Sequence, residues 1–430
     1  MLLIYTQKVT TRFTYVFKHM LFRILGLDIA FTSVLEEFVG HNGPKMSYGK
    51  QSLANELFVQ EFGLLSQQGI EDITIQVKNW ETVPAFFATS EKSAIPFDVF
   101  SAAFYLLSRY EEYLPHVRDA KGRFPASESI AFQNEFLELP VIDIWAYKIG
   151  KLLTETFPAI TIPKKKVIIH NLLHVQRPFL YNQKGMFRSV MGYANDLSKF
   201  KFKEVFKRTQ VLLGLRKDPY DTFTWVVNIV KRSSSKMTAF FLLGENEMYQ
   251  DSLNTHRKAF RQLVKYVGDY KEIGLLYSGS SLEKFEILRK EKKRMEQITN
   301  RTLVSSKQAN FFLDLPENYR NLIELEIAKD FTMAYHDTPG FRAGTCTPFL
   351  FYDLDFEIKT PLLLHPIAVT TTALTSLPDH EIEKKVHQLL AQTKLVNGTF
   401  SMVFRNEDFK GEDENIIWRT LFSEILQQYE

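Results

Sequence analysis

The stretch PKKKVIIHNLLHV, residues 163–175, marks the point at which the fold is decided. A proline and three consecutive lysines end the preceding segment, and a run of apolar residues begins at Val167. Short apolar runs bounded by turn-forming residues are typical of buried strands in parallel sheets. The sequence therefore predicts a domain boundary within residues 156–166 and the first strand of a new domain at residue 167.

Beyond this strand the chain repeats one pattern, a short apolar strand followed by a loop and an amphipathic helix. Predicted strands lie at residues 167–173, 237–243, 272–277, 302–305, 331–335, 361–369 and 400–404. Predicted helices lie at residues 218–231, 256–267, 282–298, 316–328, 381–393 and 416–429. About seven such units favour an α/β fold in which parallel strands close into a barrel, with an open doubly wound sheet as the alternative. Either fold places a ligand site at the carboxyl ends of the strands.

The N-terminal part, residues 1–160, is the smaller of two predicted domains, and residues 166–430 form the larger one. Residues 2–5 read as a strand, and the apolar residues from Phe13 to Ile24 recur at the spacing of one helical face. Basic residues flank that face, so a membrane-surface helix is one interpretation. The preferred interpretation is a core helix docked on a sheet. Helices predicted at residues 97–113 and 141–156 complete a small α/β domain.

Composition excludes several classes of protein. The chain has 53 Lys plus Arg against 50 Asp plus Glu, a formal charge of +3, which does not favour nucleic acid as a partner. No run approaches the ~18 apolar residues of a membrane-spanning helix, and the N-terminus lacks the charged region and cleavage site of a secretory signal. We therefore expect a cytoplasmic protein without a transmembrane segment.

The predicted strand ends are polar but contain no complete catalytic motif. A hydrolytic metal site needs three or four converging His, Asp or Glu ligands, and the strand ends offer His174, His365 and a distant Glu407. Cys346 is the single cysteine, and no histidine lies beside it in sequence. The GxSxG, GxGxxG and GxxxxGK[ST] motifs are absent. Another chemistry that uses His174, His365, Glu407 or Cys346 remains an alternative.

Longer stretches of the chain resemble a known family. The segments DPYDTF (residues 218–223) and PGFRAGTCTPF (residues 339–349), together with LLLHPIAV (residues 362–369), resemble polysaccharide deacetylase-like proteins of the Bacteroidetes. The N-terminal third, with PFDVFSAAFYLLSRYEEYLPH (residues 96–116), resembles the extra domain of that group. The resemblance implies a distorted (β/α) barrel of the NodB-homology type. In that family a divalent metal is held by one Asp and two His, with a second Asp as general base and a further His as general acid.

The positions that match the family's catalytic motifs carry other residues here. The first-strand carboxylates are replaced by His174 and Gln176, the two metal-binding histidines by Leu276 and Ala309, and the final histidine by Arg405. Because a metal-bound water ionises near pH 7 and positioned acids and bases add about 10²–10⁴-fold each, losing all of them removes nearly every source of rate. We therefore predict a pseudoenzyme of carbohydrate metabolism that holds neither metal nor cofactor.

With the carboxylates and the metal lost, Arg177, Lys307, Arg342 and Arg405 make the predicted pocket cationic, which suits an anionic or carbohydrate-type small molecule. The alternative is that these arginines pair with Glu407, Asp353 or backbone carbonyls. A regulatory or scaffolding role with a protein partner in surface-polysaccharide metabolism is a second hypothesis, and an active metal-dependent deacetylase or other hydrolase with a non-standard site is a third. The ligand-binding residues predicted by the first hypothesis are Arg177, Lys307, Arg342, His365, Arg405 and Glu407.

Overall fold

Two β-sheets, whose strands are parallel with one exception, form the framework of the fold in a computed structural model of the chain. The structure describes residues 1–53, 56–183, 186–233, 235–243, 255, 257–279, 284–411 and 416–427. One sheet has four strands and the other nine, and a two-stranded hairpin, β5 (Lys78–Trp80) with β6 (Val83–Ala85), lies between them in sequence. The molecule is therefore a mixed α/β protein.

The four-stranded sheet is built from the first 60 residues. Its strands are β1 (Leu2–Tyr5), β2 (Ile29–Thr32), β3 (Lys45–Gly49) and β4 (Leu57–Gln60), all parallel in the order β2-β1-β3-β4. An α-helix, Thr11–Phe17, continues as a π-helix, Lys18–Ile24, and joins β1 to β2. Phe17 stacks on Phe100 with ring centroids 3.9 Å apart, and the apolar face is buried. The prediction of a core helix is confirmed.

The nine-stranded sheet has the order β12-β13-β11-β10-β9-β8-β7-β15-β14. Neighbouring strands are parallel except for β12, which is antiparallel to β13. The strands are β7 (Ile168–Val175), β8 (Lys236–Leu242), β9 (Glu272–Tyr277), β10 (Ser305–Gln308), β11 (Lys329–Asp330), β12 (Phe349–Asp353), β13 (Ile358–Leu364), β14 (Val369–Thr370) and β15 (Thr399–Arg405). The repeated strand and helix pattern beyond residue 167 is thus confirmed as an α/β arrangement with parallel strands.

Helices connect these strands and cover the sheets. The other α-helices of the described residues are Leu35–Gly40, Val99–Leu107, Tyr110–Tyr113, Ile130–Gln133, Val141–Thr156, Met186–Ser198, Phe202–Leu212, Phe223–Val230, Lys258–Gly268, Phe285–Thr299, Glu317–Glu324, Thr371–Leu374, Asp379–Leu395 and Ile416–Gln427, with 3-10 turns at Ala126–Glu128 and Asn406–Phe409.

Three predicted strands differ from the observed ones. The strand expected at residues 361–369 is two strands, β13 and β14, which pair with different neighbours. The strand expected at residues 302–305 begins three residues later, as Ser305–Gln308, and the one expected at residues 331–335 ends at Asp330. The four residues of β10 are polar but fully buried. Ser306 donates to Asp330, and Gln308 Oε1 accepts from the backbone amides of Asn310 and Phe312, while Gln308 Nε2 has no partner among the described residues. Apolar periodicity cannot identify such a strand. Lys307 therefore lies within the sheet and not beyond it.

The N-terminal and C-terminal parts are joined by side-chain contacts. Tyr15 donates to the carbonyl of Leu350 over 2.7 Å, and Arg12 forms an ion pair with Glu357 on the β12–β13 turn. One continuous hydrophobic core contains residues of both parts. The division at residues 156–166 stays a prediction, although the two sheets do fall on either side of it.

Candidate functional site

The carboxyl end of β7 meets β10 at a buried amine and a buried imidazole. The Lys307 ammonium lies 3.4 Å from Nδ1 of His174, over the ring of Phe311 at 3.6 Å from its centroid, and donates to the carbonyl of Gln308 over 3.2 Å. Burial lowers the pKa of Lys307 to about 7. Burial, with the nearby charges of Lys307 and Arg405, holds the pKa of His174 well below its ordinary value. At neutral pH the imidazole of His174 is therefore uncharged, and the amine of Lys307 carries its proton in only part of the molecules.

A buried carboxyl group, that of Asp330, lies on β11, the strand that pairs with β10. Asp330 at the end of β11 accepts from Ser306 Oγ and from the amide of Thr332, both over 2.9 Å. Burial raises the pKa of Asp330 to about 6, against these hydrogen bonds. Its negative charge in turn raises the pKa of Lys307, opposing the effect of burial. Sequence reasoning missed Asp330 because the strand that carries it was placed after it.

Apolar side chains fill the sheet face beside the amine. Leu276 and Ala309, which the resemblance matches to the family's metal-binding histidines, are both buried. They belong to one cluster with Leu172, Phe240, Leu242, Phe311, Phe331, Ala334, Ile367 and Val403. This part of the sheet face is apolar, and the side chains of Leu276 and Ala309 provide no oxygen or nitrogen atom that could bind a cation.

Glu407 lies between two of the predicted arginines at the carboxyl ends of β7 and β15. Arg405 Nη1 is 3.1 Å from Glu407 Oε1, and Arg177 Nη2 is 3.7 Å from Oε2. Asp408 also contacts Arg405, at 2.9 Å. The side chains of Arg405 and Arg177 are 31% and 33% exposed, so solvent still reaches them. The structure therefore shows the alternative in which Arg177 and Arg405 pair with Glu407.

Gln176 follows β7 at the same edge. It hydrogen bonds to His174, and its Nε2 is buried without a further partner among the described residues. His336 lies across Phe311, with ring centroids 6.1 Å apart, and burial lowers its pKa to about 4. Polar groups of neighbouring strands thus gather around Lys307 and Phe311.

Arg342 is held elsewhere, by the N-terminal part of the chain. Its Nη2 and Nε bind the two carboxylate oxygens of Glu112 over 2.7 and 3.0 Å, and its Nη1 donates to the carbonyl of Ala334. Arg109 binds the same Glu112 over 2.7 Å. Burial alone raises the pKa of Glu112, but the two guanidinium groups outweigh it and lower that pKa to about 2. Arg342 is therefore a partner of Glu112 and not a member of the strand-end group.

His365 lies with His170, away from the strand-end group. Its ring stacks on Phe331 at 4.3 Å and meets the His170 ring at 6.0 Å, and burial lowers the pKa of His365 to about 3. Both histidines line a cavity of about 410 Å³ with the first residues of β7, β8 and β15. The site expected between Arg342, His365 and the end of the first strand is not assembled, because the three groups bind different neighbours.

The single cysteine and one group of metal-type ligands lie away from the strand ends. Cys346 is buried, and burial raises the pKa of its thiol well above the ordinary value. Within the described ranges, the residues that come together as three metal-type ligands are Glu383, His387 and Glu424, on the surface of two helices. Neither lies among the strand-end residues.

Comparisons with known proteins give one family match and several weak structural similarities. Residues 2–158 match the model of a family of unknown function, DUF7033. No curated protein matches the chain. Among solved structures, it is similar to a protein named as a polysaccharide deacetylase from Mycobacterium smegmatis, with 10% identity over 62% of this chain and 86% of that one and a TM-score of 0.38.

Two further structures show the same level of similarity. A CE4 family pseudoenzyme from Bacillus anthracis has 10% identity, covers 62% of each chain and gives a TM-score of 0.33. A 4-alpha-glucanotransferase from Thermococcus litoralis has 12% identity over 62% of this chain and 37% of that one, with a TM-score of 0.35. Similarities this weak assign no activity to the present chain. Among the residues described, no helix is long and apolar enough to cross a bilayer.

Proposed function

We propose that the chain is a catalytically degenerate polysaccharide deacetylase-like protein, in which a distorted barrel binds an anionic, carbohydrate-type ligand. One observation carries the proposal: an amine, Lys307, lies against His174 where the resemblance places a metal centre. The packing of Leu276 and Ala309 in an apolar cluster supports it. Chain connectivity supports the barrel, because β13 pairs with β11 while β14, a few residues later, pairs with β15.

The ligand's contact points in this proposal are Arg177 and Arg405. Both arginine side chains are partly exposed at adjacent strand ends, and Glu407 lies 3.1 Å from Arg405 and 3.7 Å from Arg177, while Asp408 also pairs with Arg405. A planar guanidinium binds carboxylate or phosphate oxygens in a bidentate manner. An acidic sugar or sugar phosphate that displaces Glu407 from one arginine gains that interaction. Lys307 and His174 lie deeper, and Arg342 and His365 are not part of this site.

We expect purified protein to hold no stoichiometric zinc and to show no chelator-sensitive deacetylation of N-acetylated oligosaccharides. The reason is that Gln176, Leu276 and Ala309 stand at the positions that the resemblance matches to the family's metal ligands, whereas zinc binds to Cys, His and carboxylate groups. Metal analysis after dialysis and an acetate-release assay with and without chelator measure this. One tightly held equivalent of zinc, together with activity that the chelator abolishes, would overturn the proposal.

Ligand binding is tested by the thermal shift that a panel of uronic acids and sugar phosphates produces. For a ligand that stabilises the wild type, Arg177→Ala is expected to weaken binding about 10–100-fold, the value of a charge-assisted hydrogen bond. Glu407→Gln is expected to tighten it, because the competing carboxylate is removed. Arg289→Ala, on the exposed face of helix Phe285–Thr299, is the matched control. Equal shifts in all four proteins would count against this site.

A further inference from the structure

Helices Met186–Ser198 and Phe202–Leu212 form a hairpin between β7 and helix Phe223–Val230. Polar groups make the contact between the two helices. Arg208 is buried and pairs with Asp196 over 2.6 Å, and its guanidinium lies over the rings of Tyr181 and Tyr193 at 4.8 and 5.5 Å. Tyr193 also hydrogen bonds to Thr209 over 2.8 Å. The seam of the hairpin is therefore charged and aromatic.

The outer surface of the hairpin is apolar. Phe200, Phe202 and Phe206 are 79%, 62% and 64% exposed. The other exposed apolar residues of this hairpin are Met186, Val190, Met191, Leu197, Leu212, Leu213 and Leu215. An amphipathic helix on a protein surface normally turns its apolar face inward and its charges outward. Here large apolar side chains of both helices are exposed instead, and a group of exposed apolar residues of this size indicates a contact with something apolar.

Cations alternate with the phenylalanines at the tip of the hairpin. Residues 199–207 read KFKFKEVFK, and Lys199, Lys201 and Lys203 are exposed. Arg216 and Lys217 follow the exposed leucines at the other end. The two acidic residues are engaged: Asp196 with Arg208, and Glu204 with Tyr181 and Lys207. The apolar surface is thus edged by positive charge.

We propose that this hairpin docks the protein on the surface of an anionic lipid bilayer. Phenylalanine and leucine side chains enter the boundary between headgroups and acyl chains, while lysines extend their stems along it and keep their ammonium groups at the headgroups. A charged surface of the opposite sign complements the lysines. A second copy of this chain fits less well, because it would bring lysines against lysines.

The proposal predicts binding to vesicles that depends on lipid charge and on salt. We expect the protein to float with phosphatidylcholine vesicles that contain a large fraction of phosphatidylserine, and not with pure phosphatidylcholine vesicles. Raising the salt from about 0.1 M to 1 M, which shortens the Debye length from about 10 Å to 3 Å, is expected to release most of it. Replacing Lys199, Lys201 and Lys203 by glutamine is expected to weaken binding about 100-fold, because each lysine near an anionic surface contributes several-fold.

The apolar contribution is tested separately by replacing Phe200, Phe202 and Phe206 with serine, which is also expected to weaken vesicle binding about 100-fold or more. A matched control replaces Phe22, Val39 and Phe356, which are similarly exposed but lie elsewhere, by serine. A second control replaces the exposed Lys8, Lys50 and Lys121 by glutamine. Both controls are expected to bind as the wild type does. Circular dichroism and thermal unfolding verify that each variant is folded.

A direct readout comes from Phe202→Cys labelled with an environment-sensitive dye, because the single natural cysteine, Cys346, is buried. The dye emission is expected to shift to the blue when anionic vesicles are added. The proposal is overturned if the wild type ignores anionic vesicles at low salt, or if both hairpin variants bind as well as the controls. It is also overturned if the hairpin phenylalanines instead mediate self-association in the absence of lipid.

Discussion

Glu112→Ala is expected to lower the free energy of unfolding by about 3–5 kcal/mol, the loss found when one partner of a buried ion pair is removed. The Glu112 carboxylate is 4% exposed and binds two guanidinium groups, Arg342 at 2.7 Å and Arg109 at 2.7 Å. Without it, both positive charges remain buried next to each other. Arg109 retains Glu111 at 2.7 Å, whereas Arg342 retains only uncharged partners among the described residues.

Urea unfolding at pH 7 measures this change. Glu317→Ala removes an exposed carboxylate that pairs with Arg320 and serves as the control, with an expected loss of about 0.5 kcal/mol or less. The double variant Glu112→Leu/Arg342→Met removes Glu112 and one of its two guanidinium partners. We expect it to recover part of the loss, because Arg342 no longer leaves a buried charge without a carboxylate, while Arg109 keeps Glu111 at 2.7 Å. A loss for Glu112→Ala no larger than that of the control would contradict the structural role assigned to this pair.

Lys307→Met is expected to change how stability depends on pH. In the unfolded chain the ammonium loses its proton near its ordinary pKa of 10.5, whereas burial lowers the pKa in the folded protein to about 7. Between these two values the unfolded state binds more protons, so the stability of the wild type falls as the pH is lowered from 10.5 to 7. Each pH unit in this window amounts to about 1.4 kcal/mol. Below pH 7 the contribution is constant.

The measured quantity is the difference in unfolding free energy between wild type and Lys307→Met at several pH values. Between pH 7 and pH 9 we expect the wild type to gain about 2–3 kcal/mol relative to the variant. The pKa values of Asp330, about 6, and of His174, well below its ordinary value, place their titrations below this window. The exposed Lys384→Met variant is expected to give a flat difference. A flat difference for Lys307→Met as well would show that the amine is not buried.

The strand-end arginines could be predicted from the sequence, whereas the partner of Arg342 could not. Arg177, Arg405 and Glu407 were expected at strand ends, and the structure brings them together there because β7 and β15 are adjacent and parallel. Arg342 was expected in the same group, but its partner is Glu112, 230 residues earlier in the chain. The spacing within the segment GFRAG contains no information about that contact. The doublet Glu111–Glu112 after Arg109 was the available signal, and it reads equally well as an exposed helix end.

The hairpin of residues 186–212 was missed for a related reason. Its apolar residues follow a helical period, but its sequence lies between a strand and the segment DPYDTF, where a loop was assumed. Conversely, the strand Ser305–Gln308 was predicted three residues too early because its side chains are polar. Periodicity identifies elements whose apolar face is buried, and it fails where the buried face is polar or the apolar face is exposed.

What the sequence determined by itself is the alternation of strands and helices after residue 167 and the side-chain types at the strand ends. Both are local properties: the apolar period selects the element, and a Leu or an Ala is no metal ligand in any fold. Only the tertiary structure decided which charges are paired and how strongly each group holds its proton. Those depend on burial and on partners distant in sequence, such as Asp330 for Lys307 and Glu112 for Arg342, which are brought within reach only when the sheets and helices pack together.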